Sequence, residues 1–150
     1  MLSPPGFRAR QTNSGKGLNM LFPITTLTAI ILSTWLIVLA FRVIGMRRQF
    51  MNNEPDDEAK ALMERKNRAQ GNFTEYVPIA LILLLLAESQ AASAFITGLA
   101  ALSLIIGRFL HGYAFSFTTH WMFGRFWGMI ATFSSIGLLA LTNLVLLFIA

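Results

Sequence analysis

The chain alternates between long apolar runs and shorter polar segments. Residues 21–41 contain no charged side chain and would form a helix about 31 Å long at 1.5 Å per residue, which is enough to cross the hydrocarbon layer. Further apolar runs occupy about 73–88, 94–117 and 126–149. This pattern predicts an all-α integral membrane protein, a bundle of four transmembrane helices.

The second apolar run continues a longer helix whose first half is polar. Pro55 and the three acidic residues that follow it are typical of a helix start, because acidic side chains favour the positive end of the helix dipole. The helix is therefore expected to begin near residue 57 and to stand out of the membrane at first. Pro78 is expected to kink it, which membrane helices tolerate.

Residues 1–19 differ from the rest of the chain. They are polar, rich in Gly, Pro and Ser, and lack the apolar core of a signal peptide. We expect them to form a disordered leader. Met20 directly precedes the first apolar run, so a native start at Met20 and a genuine flexible leader both stay open. Residues 20–150 are expected to form the membrane domain.

The composition supports a lipid-facing exterior. The chain is 55% hydrophobic and 13% charged, with a mean hydropathy of +0.59, whereas soluble domains carry about 25% charged residues. The net charge of +5 comes from basic residues beside apolar runs, which indicates a membrane surface and not nucleic acid. There is no cysteine, so any thiol must arrive with a ligand. The two histidines, His111 and His120, do not make a metal site alone.

Basic residues also predict the orientation. They are concentrated in the loop after the first span, and Arg125 follows the third span, whereas residues 89–93 and the end of the fourth span have none. The positive-inside rule then places both of these basic loops in the cytoplasm and both termini on the opposite side. Only the basic residues of the leader disagree.

This topology collects polar residues of three helices in one cytoplasmic slab of the membrane. Spacings of three and four residues place one set on a single face of helix two and another on a single face of helix three. The first set is Arg65, Arg68, Asn72 and Glu75, the second is Arg108, His111 and Phe115, and Arg125 begins helix four. A charge inside a span costs at least about 2.5 kcal/mol, so such residues face a partner or a cavity.

Two interpretations of this slab remain open. In the structural one, Glu75 pairs with Arg68 or Arg108, while Arg65 and Lys66 contact lipid phosphate. In the functional one, the residues form a cationic pocket with one carboxylate and one amide, which suits a small anionic or zwitterionic molecule. By position alone, Tyr76 and Tyr113 are interfacial anchors.

One segment resembles a known family signature. Residues 64–78 (ERKNRAQGNFTEYVP) contain E-R and R-A-x-x-N-x-x-E-Y-x-P, which resemble the signature of the MAPEG family, the membrane-associated proteins in eicosanoid and glutathione metabolism. Residues 107–113 (GRFLHGY) look like the third-helix motif of that family, and Arg125 matches its arginine at the start of helix four. The resemblance covers roughly residues 20–150. It implies a homotrimer that binds glutathione between neighbouring subunits at the cytoplasmic side.

The resemblance also implies roles for individual residues. Glu75 would pair with the α-amino group of glutathione and Arg68 with a carboxylate. Arg125 would be the catalytic residue, lying near the sulfur, where a cation lowers the pKa of a thiol and yields the thiolate. A lipophilic small-molecule substrate would enter from the bilayer. The implied glutathione-binding set is Arg65, Arg68, Asn72, Glu75, Tyr76, Arg108 and His111.

Departures from the family pattern narrow the function. His111 and Phe115 stand where eicosanoid-forming members tend to have tyrosines. Gly71 and Phe126 replace an arginine and a serine of the prostaglandin-forming branch. These differences argue against prostaglandin synthesis and resemble bacterial members, which implies a bacterial inner membrane.

The resemblance and the polar residues lead to three hypotheses for the function of the chain. The first is a membrane-bound glutathione transferase, with peroxidase activity towards lipid hydroperoxides as an extension. The alternative is a non-catalytic lipid- or thiol-binding protein, like the lipoxygenase-activating member of the family. The third, a purely structural bundle or a small-solute carrier, lacks support, because the sequence shows neither an internal repeat nor an unwound helix. Glu88, which could be cited for a proton path, is interpreted as interfacial.

Overall fold

The computed structural model describes residues 21–52 and 54–149, and the leader predicted at 1–19 lies outside them. The described residues form four helices, each long and apolar enough to cross a membrane. The predicted all-α four-helix architecture is therefore confirmed. In chain order the helices are α1 (Pro23–Asn52), α2 (Asp57–Ser89), α3 (Ala94–Ser116) and α4 (Met122–Ile149).

The helix ends differ in places from the apolar runs. α1 continues beyond residue 41 through Arg42, Arg47 and Arg48, because arginine is a good helix former and its charge limits the apolar run without ending the helix. α4 begins at Met122, earlier than residue 126.

The two ends of α2 are fixed by local hydrogen bonds. Asp56 is the N-cap, and its side chain accepts a hydrogen bond from the backbone N–H of Ala59 at 2.7 Å. The helix continues through Pro78 and ends at a tight turn, in which Gln90 N–H donates to the Leu86 carbonyl and Ala91 has a φ of 57°.

Two glycines allow α3 and α4 to approach closely. A Cβ atom at Gly128 would lie 2.7 Å from the backbone nitrogen of His111, and one at Gly107 would lie 2.8 Å from the Gly128 carbonyl oxygen. Ser135 Oγ donates to the Ala100 carbonyl at 2.7 Å across the same contact. Small residues permit such backbone contact between membrane helices.

The small residues of α4 do not all serve this contact. Gly128, Ser134, Ser135 and Gly137 are all small enough for close packing between membrane helices. Ser134 and Gly137 are nevertheless exposed, and a Cβ atom at Gly137 would meet nothing within 4 Å. Only Gly128 and Ser135 lie on the face that meets α3. The sequence spacing alone does not identify which face of α4 is turned towards its own chain.

A carboxylate joins α1 and α2 at the end of the bundle opposite the polar slab. The two oxygens of Glu88 accept hydrogen bonds from the backbone N–H groups of Ile24 and Thr25, at 3.0 and 2.9 Å. Glu88 thus caps the N-terminus of α1, where the helix dipole favours a negative charge. This is a more specific role than the interfacial one predicted from its position.

Candidate functional site

Residues of α2, α3, α4 and the link between α3 and α4 form two groups at one end of the bundle, each built around one arginine. We call the first the Arg108 group (Asn72, Tyr76, Arg108, Met129 and Thr132). We call the second the Arg125 group (Arg65, His111, Phe115, Thr119 and Arg125). The two groups together contain six of the eight residues that the sequence suggested for a site, whereas Arg68 and Glu75 lie outside both.

Arg108 is the centre of the first group and is only 1% exposed. Its Nε donates to Thr132 Oγ1 at 2.9 Å, and one terminal nitrogen donates to the backbone carbonyl of Asn72 at 3.3 Å. The other terminal nitrogen lies 3.3 Å from Met129 Sδ, and the guanidinium carbon lies 5.8 Å from the centre of the Tyr76 ring. All of these partners are neutral, so the group carries a net positive charge within the bundle.

Asn72 takes part through its backbone. Its carbonyl accepts the hydrogen bond from Arg108, while its side-chain amide donates to the carbonyl of Arg68, one turn earlier in α2, at 3.3 Å. The sequence suggested the side-chain amide as the useful group. In the single chain that amide is half-buried and its nitrogen is engaged within its own helix.

The second group places a cation on an aromatic platform. The guanidinium carbon of Arg125 lies 4.4 Å from the centre of the Phe115 ring, which is cation–π geometry. The Phe115 ring in turn lies 4.8 Å from the ring of His111, which is 3% exposed. One terminal nitrogen of Arg125 donates to the Thr119 carbonyl at 3.1 Å. Phe115 therefore packs the face of its ring against the Arg125 guanidinium. Unlike a tyrosine, it supplies no phenolic hydroxyl at this position.

The C-terminal end of α3 explains why cations gather here. Arg42 donates to the Ser116 carbonyl at 2.7 Å, and Arg65 and Arg125 both donate to the carbonyl of Thr119, just beyond the helix. The last carbonyls of a helix lack intrahelical partners and carry partial negative charge. This accounts for the contact of Arg42 with Ser116, the last residue of α3, while Arg65 and Arg125 meet at Thr119 in the link that follows the helix.

Arg68 and Glu75 are exposed on α2, and neither side chain forms a hydrogen bond or an ion pair with a member of either group. Arg68 forms an ion pair with Glu64 at 2.6 Å, and the side chains of both residues are 63% exposed. Within residues 21–52 and 54–149 the only other ion pair is between Lys60 and Asp57. The structural interpretation in which Glu75 pairs with Arg68 or Arg108 is therefore not realised in the single chain.

The suggested lipid-phosphate contacts of Arg65 and Lys66 are also not what the single chain presents. Lys66 is 8% exposed and lies on the buried face of α2. Arg65 is half-buried and turns towards the Thr119 carbonyl, at 3.4 Å. Both cations are thus directed to the bundle more than to the surrounding lipid.

Sequence reasoning missed several residues that contact the suggested ones, among them Glu64, Thr119, Met129 and Thr132. Glu64 lies four residues before Arg68, and this helical spacing was a usable signal for an ion pair. Thr132 gave no signal, since one threonine in an apolar helix has many possible environments. Thr119 contributes a backbone carbonyl, which any residue could provide, so its role is visible only in three dimensions.

Comparison with known proteins identifies the family. The sequence profile of the MAPEG family matches residues 25–145. The inner membrane protein YecN of Escherichia coli K12 is 31% identical over 122 residues, which cover 81% of this chain and 90% of YecN, and YecN of Escherichia coli O6:H1 matches to the same extent. No solved structure gives a significant match. The chain belongs to the MAPEG family.

Proposed function

We propose that this protein is a membrane-bound glutathione transferase that joins glutathione to lipophilic electrophiles and also reduces lipid hydroperoxides. The observation that carries the proposal is the setting of Arg125. Its guanidinium is half-buried over Phe115, its Nε has no hydrogen-bond partner, and no carboxylate of the described residues pairs with it. A cation held in this way stabilises a thiolate.

The two exposed residues of α2 suit the ends of the tripeptide. Glu75 would pair with the α-amino group of glutathione, and Arg68 would bind a carboxylate in the bidentate manner that guanidinium groups favour. Because both side chains point away from their own bundle, the ligand would lie at a boundary with a neighbouring copy. We therefore propose a homotrimer with glutathione between its subunits, as in the family.

The remaining residues would form the wall behind the ligand. Arg108 and His111 are almost fully buried, and Tyr76 stacks edge-on against Phe133 at 5.3 Å. Asn72 and Arg65, which are bound to Arg108 and to the Thr119 carbonyl, would lie at the proposed cytoplasmic side of the same site. Arg108 would contribute chiefly through its positive potential, which favours an anionic ligand in a region of low dielectric.

The chemistry needs no group from the chain other than a cation near the sulfur. In conjugation, the thiol loses its proton to water, the thiolate forms a bond to the electrophilic carbon, and the leaving group departs with its electron pair. In reduction of a hydroperoxide, the thiolate attacks the terminal oxygen, the O–O bond breaks, and the departing alkoxide takes up the proton that the thiol had lost to water and leaves as the alcohol. A second glutathione then converts the resulting sulfenic acid into glutathione disulfide and water.

The membrane spans and the inner membrane relative support a location in the membrane. We propose that the protein lies in a bacterial inner membrane, with the site and the loop between α1 and α2 in the cytoplasm and both termini on the other side. The basic residues at the end of α1, in the first half of α2 and at the start of α4 support this orientation. Cytoplasmic glutathione would then reach the site directly, while the electrophile would come from the lipid.

A non-catalytic protein that binds lipid or thiol is the second candidate. Phe115 favours it, because this residue presents a ring without a hydroxyl beside Arg125. His111 lies next to the Phe115 ring but is buried, so its ring does not present a polar group beside Arg125 in place of the missing hydroxyl. On this alternative the pocket would hold its ligand without activating it.

The deciding experiment measures glutathione binding and turnover on the same purified protein. We expect Arg68→Ala and Glu75→Ala to weaken glutathione binding, measured by calorimetry. We expect Arg125→Ala to retain binding but to lose most of the conjugation rate, whereas Arg48→Ala, an exposed arginine of α1, changes neither. Binding without turnover of any electrophile or hydroperoxide would favour the non-catalytic alternative. Unchanged affinity in both α2 variants would refute the site assignment.

A further inference from the structure

One backbone carbonyl connects two arginines from different helices. The carbonyl oxygen of Thr119 accepts a hydrogen bond from Arg125 Nη2 at 3.1 Å and from Arg65 Nη1 at 3.4 Å. Thr119 lies in the short link between α3 and α4. The link is thus tied both to α2, through Arg65, and to the first turn of α4, through Arg125.

Arg125 has few other contacts that could orient it. Its remaining described contacts are the Phe115 ring, over which a guanidinium can slide or rotate, and Met122 Sδ at 3.8 Å, which is a weak acceptor. The Thr119 carbonyl is therefore the one oxygen acceptor within the described residues that fixes the direction of this guanidinium.

The direction of that carbonyl in turn depends on Arg65. Thr119 is exposed, so without a partner on α2 its carbonyl could turn towards water. The neighbouring hydrogen bonds of the link, Thr118 Oγ1 to the Ala114 carbonyl and Met122 N–H to the His120 carbonyl, do not involve Thr119. Arg65 reaches it from outside the link.

We propose that Arg65 is a positioning residue for Arg125, acting through the Thr119 carbonyl, and not a ligand of glutathione. This inference rests on the proposed function. The positive charge of Arg65 also acts on the site, because its Nη1 and the Nη2 of Arg125 bind the same oxygen. The two nitrogens can therefore be no farther apart than the sum of their distances to that oxygen. Arg65 therefore places the cation that stabilises the thiolate and adds a second positive charge near it.

Kinetics separates positioning from binding. We expect Arg65→Ala to lower kcat about tenfold, since misplacing a catalytic group costs up to about a hundredfold, while the Kd for glutathione changes less than about twofold. The pH–rate profile should move to higher pH, because the thiol pKa rises when positive charge is removed. Arg65→Lys, which keeps the charge and one donor, should recover part of the rate. Arg48→Ala is the matched control and should change none of these quantities.

A second measurement needs neither ligand nor turnover. The ¹⁵N signal of the Arg125 guanidinium, assigned by its loss in Arg125→Lys, should shift in Arg65→Ala and in Arg65→Lys but not in Arg48→Ala. If Arg65→Ala leaves that signal unchanged, the inference is wrong whether or not the protein is an enzyme. If the signal shifts but the wild type neither binds nor turns over glutathione, the contact stands and the proposed function fails. A tenfold loss of affinity at constant kcat would make Arg65 a ligand residue and overturn the inference.

Discussion

Arg108 on α3 and Thr132 on α4 share a hydrogen bond of 2.9 Å in the interior of the bundle, where Arg108 is 1% exposed and Thr132 is fully buried. Thr132 Oγ1 also donates to the Gly128 carbonyl at 2.8 Å, which leaves its lone pairs directed at the guanidinium. The hydroxyl therefore orients a buried cation as well as joining two helices.

We expect Thr132→Val to destabilise the protein by about 1–3 kcal/mol. The substitution keeps the shape of the side chain but leaves one donor of a buried charged group without its acceptor. Unfolding in a detergent titration measures this change. Ser134→Ala, an exposed position on the same helix, serves as the control and should change the free energy of unfolding by less than about 0.5 kcal/mol. Equal effects of the two substitutions would mean that the Arg108–Thr132 bond contributes nothing.

The glycine contact between α3 and α4 leads to a second prediction. We expect Gly128→Ala to cost about 1–3 kcal/mol, because the new methyl group would lie 2.7 Å from the His111 nitrogen and would push the two helix backbones apart. The same substitution should disturb the ring of His111 and, through it, Phe115 and Arg125.

Gly137→Ala on the same helix is the matched control, since its methyl group would meet nothing within 4 Å. It should leave the stability unchanged or raise it slightly, because alanine has the higher helix propensity. Thermal unfolding of both variants by circular dichroism makes the comparison. A destabilised Gly137→Ala beside an intact Gly128→Ala would show that the helix faces have been assigned the wrong way round.

Local patterns in the sequence predicted most of the fold. A charge-free run of apolar residues has few alternatives to a membrane helix, and Asp56 after Pro55 follows the chemistry of helix starts, so α1 and the start of α2 were both anticipated. The end of α1 was not, because the arginines from Arg42 onward limit the apolar run without preventing helix formation.

The candidate site was predictable in residue type but not in contacts. Helical spacing places Arg68 and Glu75 on a face of α2, and both are exposed there. Spacing carries no information on the partner of a buried cation, so Arg108 was expected near a carboxylate and is found beside a hydroxyl, a backbone carbonyl and a sulfur. Acceptors on the backbone, such as the Thr119 carbonyl, have no sequence signature at all.

The Glu88 cap yields a third prediction at the other end of the bundle. We expect Glu88→Ala to lower the free energy of unfolding by about 1–2 kcal/mol, since both oxygens accept backbone N–H groups at the start of α1. Amide hydrogen exchange should accelerate at Ile24 and Thr25 and little elsewhere. Glu54→Ala, an exposed carboxylate outside the helices, is the control. If exchange at the start of α1 is the same in wild type and Glu88→Ala, the cap has no energetic role.

The ion pair between Arg68 and Glu64 provides a prediction that links the structure to the ligand. Because both side chains are 63% exposed, the pair contributes between about 0 and 1 kcal/mol to stability. Its effect on binding should be larger. If Arg68 binds a carboxylate of glutathione, Glu64 competes for the same guanidinium and repels the incoming charge.

We therefore expect Glu64→Gln to bind glutathione a few-fold more tightly, with a change in unfolding free energy below about 1 kcal/mol. Calorimetric titration of the variant at low salt measures the gain, which should shrink at high salt because screening weakens exposed charges. Asp57→Asn, which removes the acid of the other exposed ion pair, should leave the affinity unchanged. Weaker binding by Glu64→Gln would instead mean that Glu64 holds Arg68 in the geometry that glutathione needs, and that the two residues act together as one binding element.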